Sequence, residues 1–460
     1  MIYKATTKDA YNLFHEGALA LADVEANGIA IDEKKLQQNI DQTKRKIKRY
    51  TEFLKQDDIW DVWKKHFKTK TKLGSRVQLG QLLFKHMGYE CTSKTSTGRP
   101  KADEEALLKL DIPFVKKYLQ IEKLKKALTT YLYGIQRETV DGFLHPFFNL
   151  HLVKSQRSSS SDPNFQNIPM HLPWISKLIR SCFIARPDHH FVELDYGGIE
   201  VCISACNHKD PIMIEYIKDD TKDMHRDMAQ EIYICDEVTK DTRFSAKSNF
   251  VFAQFYGDWY KPCARNLWEN ISKLKLTLPD GIPMKKHLAI NGITKLGPCA
   301  YGEDTQPGTF EQHIKDIEYN FWYKRFNVYR EWKERVWAEY QQTGRFEMLT
   351  GFTVEGLYGK NNVTNYYMQG PAFHCLLWSL IKLNKWLKEK KMRSRIIGQI
   401  HDSIIADVHK DELQAYLYMA NKIMTRMLPK AWPWIIVPLK IETKVVPLGG
   451  NWLDKKEVVL

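Results

Sequence analysis

Two aspartates, each delivered by a strand, constrain this chain most. His190–Asp195 reads HFVELD, which alternates as a strand does and ends on an acid. Arg395–Val408 reads RIIGQIHDSIIADV, two short strands around a tight turn at His401-Asp402-Ser403, where Asp and Ser are favoured. A carboxylate at a strand end is held rigidly, with its side chain free to face a cleft. Taken singly, each aspartate reads more simply as a turn-capping residue. Brought together, two carboxylates repel and shift each other's pKa unless a cation lies between them. Magnesium takes few carboxylates and completes its shell with water and substrate phosphates. Two such ions, about 3.5–4 Å apart, stabilise both the attacking and the leaving oxygen of an in-line displacement.

Charge agrees with a phosphate-bearing partner. The 460 residues carry 69 Lys+Arg against 55 Asp+Glu, a formal net charge of +14. Such an excess favours nucleic acid, nucleotides or a membrane surface. With 43% hydrophobic and 27% charged residues, the composition is globular rather than disordered or fibrous. The length implies more than one domain, or one large domain with subdomains. No run approaches the roughly 18 apolar residues that span a bilayer. The start, MIYKATTKDAYNLFHEG, lacks the apolar core and cleavage site of a secretory signal. The eight cysteines are dispersed without a CxxC pair. Cys202 and Cys206, one helical turn apart near His208, lack further metal ligands and read as buried reduced thiols, which places the chain in the cytoplasm.

Periodicity predicts helices over residues 10–56, with a Lys-rich second stretch from Glu33 to Lys55. Residues 70–105 read as loops around a short helix at Gln78–Met87. Helical periodicity returns over Glu104–Tyr133, with Pro113 interrupting it near a boundary. The segment KKYLQIEKLKKALTTYLYG joins an apolar to a cationic stripe, either a solvated face or a helix along a phosphate backbone. Ile199–Cys206, residues 211–260 and residues 309–340 read as helical, whereas 270–308, rich in Gly, Pro and Lys, reads as an insertion or loop.

Two further segments carry chemistry. In RFSAKSNFVFAQFYG, Arg243 and Lys247 are four apart and share a helix face. Two fixed cations followed by aromatics suit a triphosphate and a stacked base; a solvated cationic helix is the plainer alternative. In RSSSSDPNFQNIP, from Arg157 to Pro169, serines, asparagines and a glutamine offer short donors and acceptors to phosphates and sugars, or form an ordinary polar loop.

Together these segments resemble family-A DNA polymerases. The resemblance runs in order through LALADVEANGIAID, SRVQLGQLLF, KLKKALTTYL, SSSDPNFQNIP, IRSCFIARPDHHFVELDYGGIE, RFSAKSNFVFAQFYG, NYYMQGPA and GQIHDSIIADV to the terminal NWLDKKE. It implies an α+β right-hand fold: a palm built on an antiparallel sheet, with helical fingers and a helical thumb. The expected divisions are palm edge 1–30, thumb 31–140, palm with the first metal aspartate 141–205, fingers 206–345, and palm with the second 346–460. By resemblance, Asp195, Asp402 and the backbone carbonyl of Tyr196 bind two Mg2+ ions. Arg243, Lys247 and His225 meet the incoming triphosphate, and Glu200 crowds the sugar 2′ position, which selects deoxynucleotides. Arg157, Asn164, Gln166, Asn365, Gln369 and His401 contact primer and template. The implied activity is template-directed DNA synthesis on primer–template DNA from deoxynucleoside triphosphates, with fingers closure carrying Lys247 and Tyr256 inward.

The chain departs from the family pattern in three places. The hairpin reads HDS where many members have HDE, so Ser403 supplies no third carboxylate. Tyr256 stands nine residues after Lys247 rather than eight; a π-bulge would absorb the extra residue and make Phe252 the aromatic on the nucleotide, whereas without one Val251 or Phe250 takes that place. No acidic exonuclease signature precedes the thumb-like stretch, so neither a 3′–5′ exonuclease nor a 5′ nuclease is expected in this chain; a separate exonuclease subunit or processivity factor could act beside it. The compact layout looks viral, which would place the enzyme in a host cytoplasm. Rival readings are a non-catalytic primer–template-binding protein, which needs no metal carboxylates, a two-metal nuclease, which needs no triphosphate helix, and a related polymerase using RNA templates or ribonucleotides, against the latter of which Glu200 argues.

Overall fold

The computed structural model describes residues 4–91, 98, 100–169 and 172–459, and the loop reading at 92–97 and 99 lies outside them. Five antiparallel strands make the central sheet, in the order Lys456–Val458, Ile441–Val445, His189–Tyr196, Ser403–His409, Arg395–Ile400. His189–Tyr196 extends the expected strand by one residue at each end. Helix Lys360–Glu389 packs on the hairpin strands, and Leu413–Lys422 covers Ser403–His409. The central strand is therefore buried even at a charged position. Glu193 is buried, and its carboxylate accepts from Trp452 Nε1 at 2.8 Å and Lys455 Nζ at 2.7 Å, so the charge is paired.

Register fixes what meets at the sheet's end. Ile400 pairs with Ser403, which leaves His401 and Asp402 as a two-residue loop. On the other side Ser403 lies opposite Asp195. The Tyr196 N–H donates to the Asp402 carbonyl at 3.2 Å, and the Gly197 N–H to the Lys440 carbonyl at 2.9 Å.

Around this sheet the chain folds in sectors. Helix Thr7–Asn27 opens with a capping box between Thr6 and Asp9 and packs along Lys360–Glu389. Gly28, at φ +63°, ends it and sends Ile29–Ala30 against Phe143–Leu144. Helices Glu33–Lys55, Asp58–Phe67 and Arg76–Gly80 follow, the last running into a π-type turn at Gln81–His86. Pro113 occupies the first position of helix Pro113–Lys126, where its missing N–H costs nothing, so it starts a helix rather than merely breaking one. These helices share a core of their own, built on Leu54, Trp63, Leu82, Leu107, Phe114 and Tyr118, apart from the main core around the sheet.

Residues 211–343 are mostly helical, as expected, but segment 270–308 is not a plain loop. It holds helix Met284–Ile290, whose Met284 and Leu288 are buried one turn apart. Isolated bridges join Thr277 to Pro283 and Lys295 to Thr309. Arg265 Nη2 donates to the Cys299 carbonyl at 2.6 Å, and the Cys299 N–H donates to Glu311 at 2.9 Å, tying the segment down. Its many Gly, Pro and Lys residues mask the short apolar spacing. Cys202 and Cys206 are buried thiols. Among the described residues no helix is long and apolar enough to cross a membrane.

The separate core predicts separate unfolding. Trp63→Ala deletes a side chain with no exposed surface and its hydrogen bond to Gln78, at a cost of about 3–5 kcal/mol. Hydrogen exchange should show lost protection over residues 54–121 while the central sheet stays protected; equal loss in both would show one shared core.

Candidate active site

The site is built from the end of the central strand outward. Burial pushes the Asp195 carboxyl above its ordinary pKa; the Ser403 hydroxyl pulls it back, and the neighbouring Asp402 pushes it up again. Ser403 Oγ donates to Asp195 Oδ1 at 2.7 Å. The serine in place of a third carboxylate thus has a definite contact: it orients one of the two acids. Burial likewise raises Asp402, against the pull of Arg157. Two groups of like charge are held half-buried side by side, linked through the Tyr196–Asp402 backbone hydrogen bond. Tyr196 itself points its hydroxyl into the core, at 2.9 Å from Ser379 Oγ and 3.1 Å from the Met424 carbonyl, which leaves only its backbone for the site. Among the described residues no three His, Cys, Asp or Glu side chains form a metal-holding group, so any ion here must draw its other ligands from backbone, water or substrate.

Gly197-Gly198 turns the strand into helix Ile199–His208 within two residues, with Gly198 left-handed at φ +64°. That tight turn places Glu200, in the helix's first turn, beside the strand end. Glu200 accepts from the Arg157 guanidinium on one oxygen and from the Tyr256 hydroxyl on the other. Arg157 Nε also donates to the Gln369 carbonyl at 3.1 Å, and Asn365 Nδ2 to the Tyr256 carbonyl at 3.4 Å. Residues from four separate segments of the chain thus meet at one wall. Two of them, Glu200 and Tyr256, line a cavity of about 210 Å³ together with Phe252, Tyr329, Met368 and Asp402.

The opposite wall is a helix with a local change of pitch. Lys240–Ala246 is α-helical, Lys247–Val251 is a π-type turn, and Phe252–Phe255 resumes the α-helix. The wide turn takes up one residue, so Phe250 and Val251 are buried, with Phe250 edge-on to Phe321 at 5.4 Å. Phe252 instead borders the cavity. Lys247 Nζ sits 5.2 Å from its ring and His225 meets it edge-on at 5.6 Å. Arg243 is held by Asp223, Nε to Oδ2 at 2.6 Å and Nη2 to Oδ1 at 3.1 Å, while Asp223 also caps helix Met224–Tyr233. Burial, then Lys247 and Arg243, push the His225 imidazole down to about 4, so the ring is neutral at pH 7. A second cavity of about 420 Å³ has Gly197, Gly198, Asp223, His225, Arg243 and Lys440 in its walls.

Sequence reasoning missed three supports. Gln399, buried, accepts from Ser158 Oγ at 2.8 Å and Gln166 Nε2 at 2.6 Å, and donates to the His401 carbonyl at 2.6 Å. It ties the Ser-rich segment to the hairpin loop; its one sequence signal is its place near the end of the strand, two residues before His401. Asp223, the partner of Arg243, is visible only as a helix cap. Lys333, pushed down to about 7 by burial, donates to the Gln254 and Phe255 carbonyls at 3.3 and 3.4 Å and lies 4.0 Å from the Trp322 ring, closing the end of the Phe252–Phe255 helix. Of the predicted residues, Asn164 reaches this network through Ser160, whose Oγ accepts the Gln166 N–H at 3.1 Å. Its Oδ1 accepts from Ser160 Oγ at 3.3 Å and caps the turn Phe165–Asn167.

The model of DNA polymerase family A matches residues 34–274 and 319–454, leaving out most of the insertion-like segment. DNA polymerase I of Lactococcus lactis subsp. cremoris is 27% identical over 449 residues, covering 95% of this chain and 45% of that one. The DNA polymerase of Bacillus phage SP01 is 26% identical over 472 residues, covering 90% and 47%. The chain therefore spans less than half the length of these relatives. The POL domain of Pol1 from M. smegmatis, solved in complex with DNA primer-template and dNTP, matches with a TM-score of 0.73 at 22% identity, over 95% of this chain and 69% of that one. The palm, fingers and thumb architecture is thereby shown, and the chain belongs to DNA polymerase family A.

Proposed function

We propose that this chain adds deoxynucleotides to the 3′-hydroxyl of a DNA primer, as directed by a template, by two-metal nucleotidyl transfer. One observation carries the reading: strand register sets Asp195 beside Asp402, both partly desolvated, and Asp402 borders a cavity that Phe252 also lines, with Lys247 Nζ 5.2 Å from the Phe252 ring. Binding alone has no use for two like charges kept together out of water.

The donor set suits magnesium. Two carboxylates and the Tyr196 carbonyl are hard oxygen ligands, few in number, which leaves positions for water and phosphate. Bound there, two Mg2+ ions would lower the pKa of the primer hydroxyl and offset charge on the departing pyrophosphate. The chain's own residues do the rest. Arg243 and Lys247 supply positive charge at the triphosphate, Arg243 leaving Asp223 to do so. His225, neutral, donates a hydrogen bond to an outer phosphate. Phe252 covers the incoming base, and Glu200 closes the space that a ribose 2′-hydroxyl needs. Tyr256 and Arg157, both on Glu200 in this state, part from it as template and nucleotide enter. Arg157, Asn164, Gln166, Asn365, Gln369 and His401 hold primer and template near the reacting end. On this reading the palm comprises 1–30, 141–205 and 346–460, the thumb 31–140 and the fingers 206–345. On this reading these 460 residues work on cytoplasmic DNA and extend a primer without themselves excising the 3′ nucleotide.

Primer extension with magnesium and the four deoxynucleotides tests this. Asp195→Ala and Asp402→Ala should each lower the rate by ~10³-fold or more while primer–template binding persists, and near wild-type extension by either variant contradicts the metal assignment. Glu200→Ala should raise ribonucleotide incorporation by about tenfold or more; unchanged sugar selectivity removes its role. Without divalent ions, Asp402→Asn should raise the thermal midpoint, because it relieves like-charge repulsion, and added Mg2+ should stabilise the wild type more than this variant. A lower midpoint for Asp402→Asn in chelator would mean that the pair is not strained.

A further inference from the structure

Building on the polymerase reading, we infer that Lys440 is a further phosphate-contacting residue, which meets the outer phosphates of the incoming triphosphate and the pyrophosphate that leaves. Lys440 immediately precedes strand Ile441–Val445, and two contacts lock its backbone beside the metal-binding end of the central strand. Its carbonyl accepts the Gly197 N–H at 2.9 Å, and the next residue, Ile441, pairs with Tyr196. Its side chain borders the same 420 Å³ cavity as Arg243 and His225.

The cations at that cavity differ in how firmly they are engaged. Arg243 is gripped by two oxygens of Asp223, which is itself fixed as a helix cap. Lys222 donates to Glu215 at 2.5 Å. His225 is neutral, and its buried Nδ1 has no hydrogen-bond partner. Lys440 pairs with Asp220, whose side chain is 78% exposed. An ion pair so open to water is held by little and exchanges readily, so a phosphate bearing more charge than a carboxylate displaces Asp220. The floor between Lys440 and Arg243 is open, because Gly197 and Gly198 carry no side chain and a Cβ at Gly198 would meet nothing within 4 Å. A polyphosphate reaching outward from the two aspartates along that floor ends at Lys440. The lysine then makes a charge-assisted hydrogen bond to it, and Asp220 acts as the resident counter-ion that the ligand replaces.

Two readouts on the whole chain decide the matter. Inorganic pyrophosphate with Mg2+ is titrated calorimetrically, and primer extension gives kcat and KM for the nucleotide. Lys440→Ala should weaken pyrophosphate binding about fivefold and raise nucleotide KM more than it lowers kcat. Lys440→Arg should restore most of both, and Asp220→Asn should tighten pyrophosphate about twofold by freeing the lysine. A Lys440→Ala chain within twofold of wild type in both pyrophosphate affinity and KM overturns the inference, as does an Asp220→Asn chain that binds pyrophosphate as weakly as Lys440→Ala. A wild-type chain that fails to extend primers defeats the polymerase reading alone, since the pyrophosphate titration still judges Lys440.

Discussion

Antiparallel pairing between His189–Tyr196 and Ser403–His409 is the constraint on which the molecule turns. A shift of one residue would move every side chain of one strand to the other face of the sheet, and Asp402 would no longer stand beside Asp195. Burial of Val192, Leu194, Ile404 and Ile405 makes such a shift costly. The hydrophobic core thus enforces an arrangement that the two carboxylates, left to themselves, would resist. Burial raises the proton affinity of both, and at Asp195 the neighbouring Asp402 adds to it; on the proposed reading a divalent cation between them would offset that cost.

The rest of the site is arranged around that fixed end. Glycines at 197 and 198 let the chain reverse into a helix at once, so that Glu200 stands over the strand end. The π-type turn at Lys247–Val251 rotates Phe252 toward the cavity and sends Phe250 into the core. Arg157, Glu200 and Tyr256 already form one hydrogen-bonded set in this state. On the proposed reading, entry of template and nucleotide would break these contacts, so the helix carrying Lys247 would move only when the correct ligands offer replacements.

Much of this was legible in the sequence, for stated physical reasons. Strand alternation in HFVELD and the turn-forming HDS marked both aspartates, and the nine-residue spacing from Lys247 to Tyr256 called for a widened helical turn. Other features were not legible. No local pattern reveals that Gln399 bonds Gln166, Ser158 and the His401 carbonyl, because those contacts depend on tertiary placement of the Ser-rich segment. Ser403 reads as a turn residue, and only the register shows it donating to Asp195. Composition hid helix Met284–Ile290 within the 270–308 segment, since two buried apolar residues one turn apart are a faint signal among Gly, Pro and Lys. Asn164 Oδ1 caps a local turn and also accepts from Ser160, which a sequence shows only as polar residues close together.

The shared cation site is best tested by diffraction from the chain crystallised with primer–template, a non-reacting nucleotide analogue and Mn2+ in place of Mg2+. The account predicts two anomalous peaks about 3.5–4 Å apart, both within bonding distance of oxygens from Asp195 and Asp402. Peaks bound by only one of these aspartates, or located elsewhere in the fold, would contradict it.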